Sequence, residues 1–141
     1  MTNPVKQPRP QAVTGEDLAR QVAELAWHKK AEEVDIVDLR GRHSLIDFFV
    51  VCTASQSRLA LVIGEEAYAL GKRLLGSTTT PGGWPHLERS EEWVCADLGD
   101  VVLHVFTPQA REFYGIEHLW GDAPRTRVEA AAAPRVLPRD R

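Results

Sequence analysis

Trp93-Val94-Cys95-Ala96-Asp97-Leu98-Gly99-Asp100-Val101-Val102-Leu103-His104-Val105-Phe106 is the stretch that decides the fold. Two apolar, β-prone runs flank Gly99-Asp100, and such a pair marks a two-residue hairpin turn. With that turn, Leu98 faces Val101, Asp97 faces Val102, Ala96 faces Leu103, Cys95 faces His104 and Trp93 faces Phe106. Side chains alternate across a strand, so the hairpin has two faces. Val94, Ala96, Leu98, Val101, Leu103 and Val105 form a wholly apolar face, expected to lie on the core. Trp93, Cys95, Asp97, Val102, His104 and Phe106 form a mixed aromatic and polar face. That is the composition of a binding surface. It also suits a face covered by the next helix, with Asp97 or His104 satisfying buried backbone groups.

Upstream, Thr14 is a good N-cap with Asp17 three residues on, and Leu18, Val22, Leu25 and Ala26 draw one helical stripe behind it. Val34 to Leu39 is strand-like. Phe48-Phe49-Val50-Val51-Cys52 is a continuous apolar run, the pattern of a strand buried on both faces. Ser55 or Ser57 caps a long helix with Leu59, Ile63, Leu70 and Leu74 inward, ended by Gly76. A Thr-, Gly- and Pro-rich loop covers Thr78 to Glu92. After the hairpin, Thr107-Pro108 opens a helix to Tyr114 that stops at Gly115, and a short turn runs through Leu119 and Trp120. The order helix, strand, strand, helix, strand, strand, helix predicts one mixed α/β domain, with helices against a single sheet. Its expected span is 14–124, with disordered tails at 1–13 and 125–141.

The chain has 141 residues, enough for one domain, and no apolar run long enough to span a membrane. The polar, Pro-rich start lacks the apolar stretch of a secretory signal, so the cytoplasm is the expected location. Cys52 and Cys95 are too few for a disulfide framework or a thiolate zinc site and read as plain buried thiols. The net charge of −3 is unevenly spread. From Glu88 to Asp122, eight carboxylates face only Arg89 and Arg111, a net −6, while the stretch after Asp122 is net +3. An acidic region repels phosphate and suits a basic protein partner, although it also reads as a solvated surface.

Catalytic readings are weak. Cys95 opposite His104 invites a thiol nucleophile with a base, but no oxyanion hole is evident. His43, Ser44 and Asp47 match a hydrolase trio by residue type alone. Asp35 and Asp38 are three apart on a strand, so they point to opposite faces and cannot share a metal. No GxxxxGK[ST] or GxGxxG run is present, and the five histidines have no ligand spacing. The residues argue against an enzyme and call for neither cofactor nor metal.

Glu92 to Phe106 and Arg111-Glu112-Phe113-Tyr114-Gly115-Ile116-Glu117-His118-Leu119-Trp120-Gly121-Asp122-Ala123 resemble the signature of the ribosomal silencing factors, the RsfS/Iojap family. Asp38-Leu39-Arg40-Gly41, Asp47 to Cys52 and Ser57-Arg58 match its first half. Cys95 and Thr107 depart from its usual choices. The resemblance implies a nucleotidyltransferase-like sheet without the catalytic aspartates. It also implies a non-enzymatic protein that binds large-subunit ribosomal protein 14 and blocks joining of the small subunit. The partner-facing residues it implies are Trp93, Asp97, Leu98, His104, Arg111 and Tyr114. A homodimer is expected as well, and no direct DNA binding. The competing reading is a nucleotide- or RNA-binding module on the same fold, against which the acidic hairpin region counts.

Overall fold

The computed structural model describes residues 14–75 and 85–128. Helix α1 (Gly15–His28) starts where Thr14 caps it, the Thr14 hydroxyl accepting the Asp17 N–H at 3.0 Å. Strand β1 (Glu32–Asp38) and strand β2 (Phe48–Thr53) follow, then helix α2 (Ser57–Leu75). Ser57 is already the first helical residue of α2; the expected stop at Gly76 lies outside the described residues. Three strands come next, β3 (His86–Glu88), β4 (Trp93–Asp97) and β5 (Val101–Phe106), then helix α3 (Pro108–Tyr114), a 3-10 turn (Ile116–Trp120) and strand β6 (Arg125–Arg127).

The six strands lie in the order β3-β4-β5-β2-β1-β6; β2 and β5 run parallel and every other pair is antiparallel. The hairpin has the register that Gly99-Asp100 predicts: Trp93 opposite Phe106, Cys95 opposite His104, Asp97 opposite Val102. Strand β2 is buried throughout, in line with its unbroken apolar run.

Two strands depart from the sequence reading. β3 sits inside the stretch expected to be loop, its His86 opposite Asp97. β6 corrects the domain boundary at 124, because Arg125, Thr126 and Arg127 pair with Val37, Ile36 and Asp35. Val128 beyond it is buried in the core. The expected tail at 1–13 and the rest of the C-terminal one lie outside the described residues. Both sheet edges are three-residue strands, which limits edge-to-edge pairing.

Helices α1 and α2 cover one face of the sheet. Leu18, Val22, Ile63 and Ala67 pack there with Val50, Cys52, Val94, Ala96, Leu103 and Val105. The apolar hairpin face is thus the core face. The other face carries a smaller cluster, Val37, Leu39, Phe49, Val51, Val102 and Phe106, closed by Ala110 of α3 and by Ala123. No helix among the described residues is long and apolar enough to cross a membrane.

Helix α2 lies unusually close to β4. A Cβ on Gly64 would stand 2.4 Å from Val94 Cγ1, a stiff branched side chain, and one on Gly71 would meet the tip of Leu98 at 2.7 Å. Gly64→Ala gains helix propensity but forces strand and helix apart, so a net loss of about 1–2 kcal/mol is expected. Gly71→Ala, meeting a flexible leucine tip, should lose less. Urea unfolding of the two variants checks the order; a Gly64→Ala protein as stable as the parent would show that the helix moves freely.

Candidate functional site

The second hairpin face leads outward through a series of rings. Phe49 of β2 meets the His104 ring edge-on, with centroids 4.6 Å apart. His104 Nδ1 accepts the indole N–H of Trp93 at 3.1 Å. Trp93 lies 4.9 Å from Phe106 and 4.8 Å from Tyr114, and Tyr114 stands 5.0 Å from Phe113 at nearly a right angle. Burial falls along the same path: Phe106 and His104 are inside, Trp93 is half-buried, Tyr114 is 47 % exposed and Phe113 81 %. Aromatic pairs of this spacing contribute about 0.5–1.5 kcal/mol each beyond area burial, so the exposed rings rest on a stiff base. Helix α3 delivers Phe113 and Tyr114 at its last turn, where Gly115, in the left-handed region at φ 53°, stops it. Leu119 on the following 3-10 turn is 76 % exposed.

His104 is neutral. Burial pushes its pKa down to about 4. Because Nδ1 accepts the indole proton, the ring's own proton sits on Nε2, which is buried without a hydrogen-bond partner. Folding therefore favours the unprotonated ring. The stability this contributes is full above the free value of 6.5 and is lost as pH falls from there toward about 4. It is on the order of 3 kcal/mol. His104→Phe should flatten the stability profile across that window relative to the parent; parallel profiles would mean the ring does not titrate there.

Of the residues singled out by motif, Trp93, His104 and Tyr114 come together. Asp97 shares their strand face but lies four residues from Trp93, roughly 13 Å along the strand. Its carboxylate accepts the Gly99 N–H at 3.0 Å and shapes the hairpin turn. Leu98 is a correction in where it faces: at 1 % exposure it packs against Gly71 on the core face of the hairpin. Arg111 is another. Its guanidinium is buried, donating to the Glu33 carbonyl at 2.6 Å, to Thr53 Oγ1 at 3.0 Å and to Asp35 Oδ2 at 3.0 Å. Phe113 and Leu119 belong to the exposed apolar surface, and the sequence reading did not single them out; an aromatic and a leucine in helical segments ordinarily read as core.

The geometry gives the catalytic readings no support. Burial, with Asp97 and Glu88 nearby, pushes the Cys95 thiol up to about 11, and the Nδ1 of its neighbour His104 already accepts the indole proton. The Cys52 thiol is pushed to about 12 by burial. His43 Nδ1 accepts the N–H groups of Leu45 and Ile46, so it folds its own loop. Asp35 is clamped by arginines, while a hydrogen bond from Arg40 holds Asp38 below the usual carboxylate range. Among the described residues no three His, Cys, Asp or Glu side chains gather as a metal site. An open cleft beyond β2, between Ser55-Gln56-Ser57 and Thr107, carries Glu91 and Glu92 and, among the described residues, no base.

Fold and site together define a small α/β domain that presents a rigid aromatic face. The family model described as "ribosomal silencing factor during starvation" matches residues 12–140. A ribosomal silencing factor of Halalkalibacterium halodurans is 30% identical over 117 residues, which is 83% of this chain and 97% of that one. One from Bacillus subtilis is 32% identical over 96 residues, 68% of this chain and 78% of that one. A crystal structure of a Chromobacterium violaceum protein, 26% identical, superposes with a TM-score of 0.63 over 86% of this chain and 98% of its own. The chain belongs to the family of ribosomal silencing factors.

Proposed function

We propose that this chain represses translation in the cytoplasm by docking on the large ribosomal subunit through its protein 14, occupying space that the small subunit must fill. The reading rests on the family and on one observation, the aromatic face in which Tyr114 and Phe113 stand exposed on a half-buried Trp93. Interfaces concentrate energy in such anchors. The net −6 between Glu88 and Asp122 suits a basic ribosomal protein and should make the encounter salt-sensitive. No chemistry is required. A homodimer is part of the expectation, and the short sheet edges direct it to a surface other than β3 or β6.

Co-sedimentation with purified large subunits at rising salt, together with a light-scattering assay of subunit joining, tests the reading. Saturable binding that weakens with salt, and joining that slows in proportion to occupancy, are expected. Binding to the small subunit alone, or to bare RNA, would overturn it in favour of a nucleic-acid module. The two carboxylates of the cleft beyond β2 speak against that alternative, because phosphate binding needs the opposite charge.

A further inference from the structure

His104 is an odd choice for its position. Its ring is 6 % exposed, against Phe49 on one side and Phe106 on the other, where an apolar side chain would pack without leaving a donor unmet. Nε2 is buried without a partner, a standing cost to the fold. Nε2 is also too deep to reach a docking protein. The polar atom in use is Nδ1, and its partner is the indole N–H of Trp93 at 3.1 Å. A half-buried tryptophan needs an acceptor for that N–H, and without one the ring turns its donor toward water. Here the acceptor is a buried side chain on the same sheet face, so the indole is held inward by its nitrogen, with Phe106 and Tyr114 against it. Phe49 in turn fixes the imidazole from behind.

We propose that His104 is the positioning residue of the docking face: it accepts the Trp93 indole proton and so holds the Trp93–Tyr114 pair in its binding orientation before any partner arrives. The inference rests on the docking function proposed above and deepens it. His104 touches no partner. It removes alternative rotamers of Trp93 in the free protein, so less conformational freedom is lost on binding.

Two substitutions separate positioning from mere packing. His104→Leu comes close to the histidine volume and removes the acceptor; His104→Phe also removes it, with a somewhat larger ring. His104→Asn keeps an acceptor near the place of Nδ1 but leaves a cavity. Stability is read by urea unfolding, the state of the indole by the NMR resonance and hydrogen exchange of Trp93 Nε1–H, and docking by titration onto purified large subunits. The expected result is a crossing. The Asn variant is the less stable protein yet keeps the protected indole proton and most of its affinity. The Phe variant stays folded, exposes its indole proton to exchange and binds about tenfold more weakly or worse. Affinity that follows stability instead, with Asn worse than Phe, overturns the proposal. Trp93→Ala is the third arm. If it abolishes docking while His104→Phe does not weaken it, positioning is wrong and the docking face stands. If Trp93→Ala binds like the parent, the docking face is wrong and the role of His104 falls with it.

Discussion

Asp35→Ala should destabilise the domain by about 3–5 kcal/mol, a large share of the 5–15 kcal/mol that holds a domain of this size together. Asp35 lies on β1 at 1 % exposure, and three arginines close on its carboxylate. Arg111 donates to Oδ2 at 3.0 Å, Arg127 binds Oδ1 through Nε and Oδ2 through Nη2, and Arg125 stands 3.7 Å away. The three are not equivalent. Arg125 and Arg127 keep about a third to nearly half of their side-chain surface in water and can turn outward once the carboxylate is gone. Arg111 is 8% exposed and cannot, so the variant leaves a buried guanidinium without the carboxylate that sits closest to it. Arg127→Ala, which removes a half-exposed partner, should lose only about 1 kcal/mol. Urea unfolding measures both. Hydrogen exchange at 125–128 should rise in the Asp35 variant, because the same carboxylate pins β6 to the sheet. A loss below about 1 kcal/mol for Asp35→Ala would show that the cluster is satisfied by water instead.

That cluster also marks where sequence reasoning stopped. The hairpin was legible because its signals are local: alternation fixes the faces, and Gly99-Asp100 fixes the register. Strand β2 was legible for the same reason, as an unbroken apolar run. Strand β6 was not, since Arg-Thr-Arg has the composition of a solvated tail. Its place depends on the edge of β1 and on Asp35, 92 residues away from Arg127. Strand β3 is too short, at three residues, to show a period. The site divides along the same line. Trp93 and His104 come together because they are cross-strand neighbours in a register the sequence defined. The inward turn of Arg111 is set by an acceptor 76 residues distant, which no local pattern reveals. Leu98 is instructive in another way. Alternation already placed it on the core face, and motif likeness alone moved it to the partner list; the packing against Gly71 decides for alternation.

Replacing Tyr114 or Trp93 by Ala should weaken docking on the large subunit by about 2 kcal/mol or more, close to thirtyfold in affinity. Trp93 should lose the most, because its ring joins the buried part of the face to the exposed part, packing against both Phe106 and Tyr114. Tyr114→Ala strips the half-exposed ring that covers Trp93 and leaves the indole open to water in the free protein. Phe113→Ala is the informative companion. At 81 % exposure, Phe113 contributes little to the fold, so any loss of affinity reports contact with the partner and not damage to the domain. Lys72→Ala, on α2 on the opposite side of the sheet, serves as the control; its ammonium lies over the Tyr68 ring, 5.3 Å from the centroid, and docking should be unchanged. Co-sedimentation gives the affinities, unfolding curves confirm that each variant is folded, and a subunit-joining assay reports the functional effect. Folded Trp93, Tyr114 and Phe113 variants that bind like the parent and still block joining would move the contact to a different surface of the domain. Loss at Trp93 and Tyr114 with none at Phe113 would instead draw the edge of the contact between two adjacent rings, and place the partner over β4 and not over the 3-10 turn.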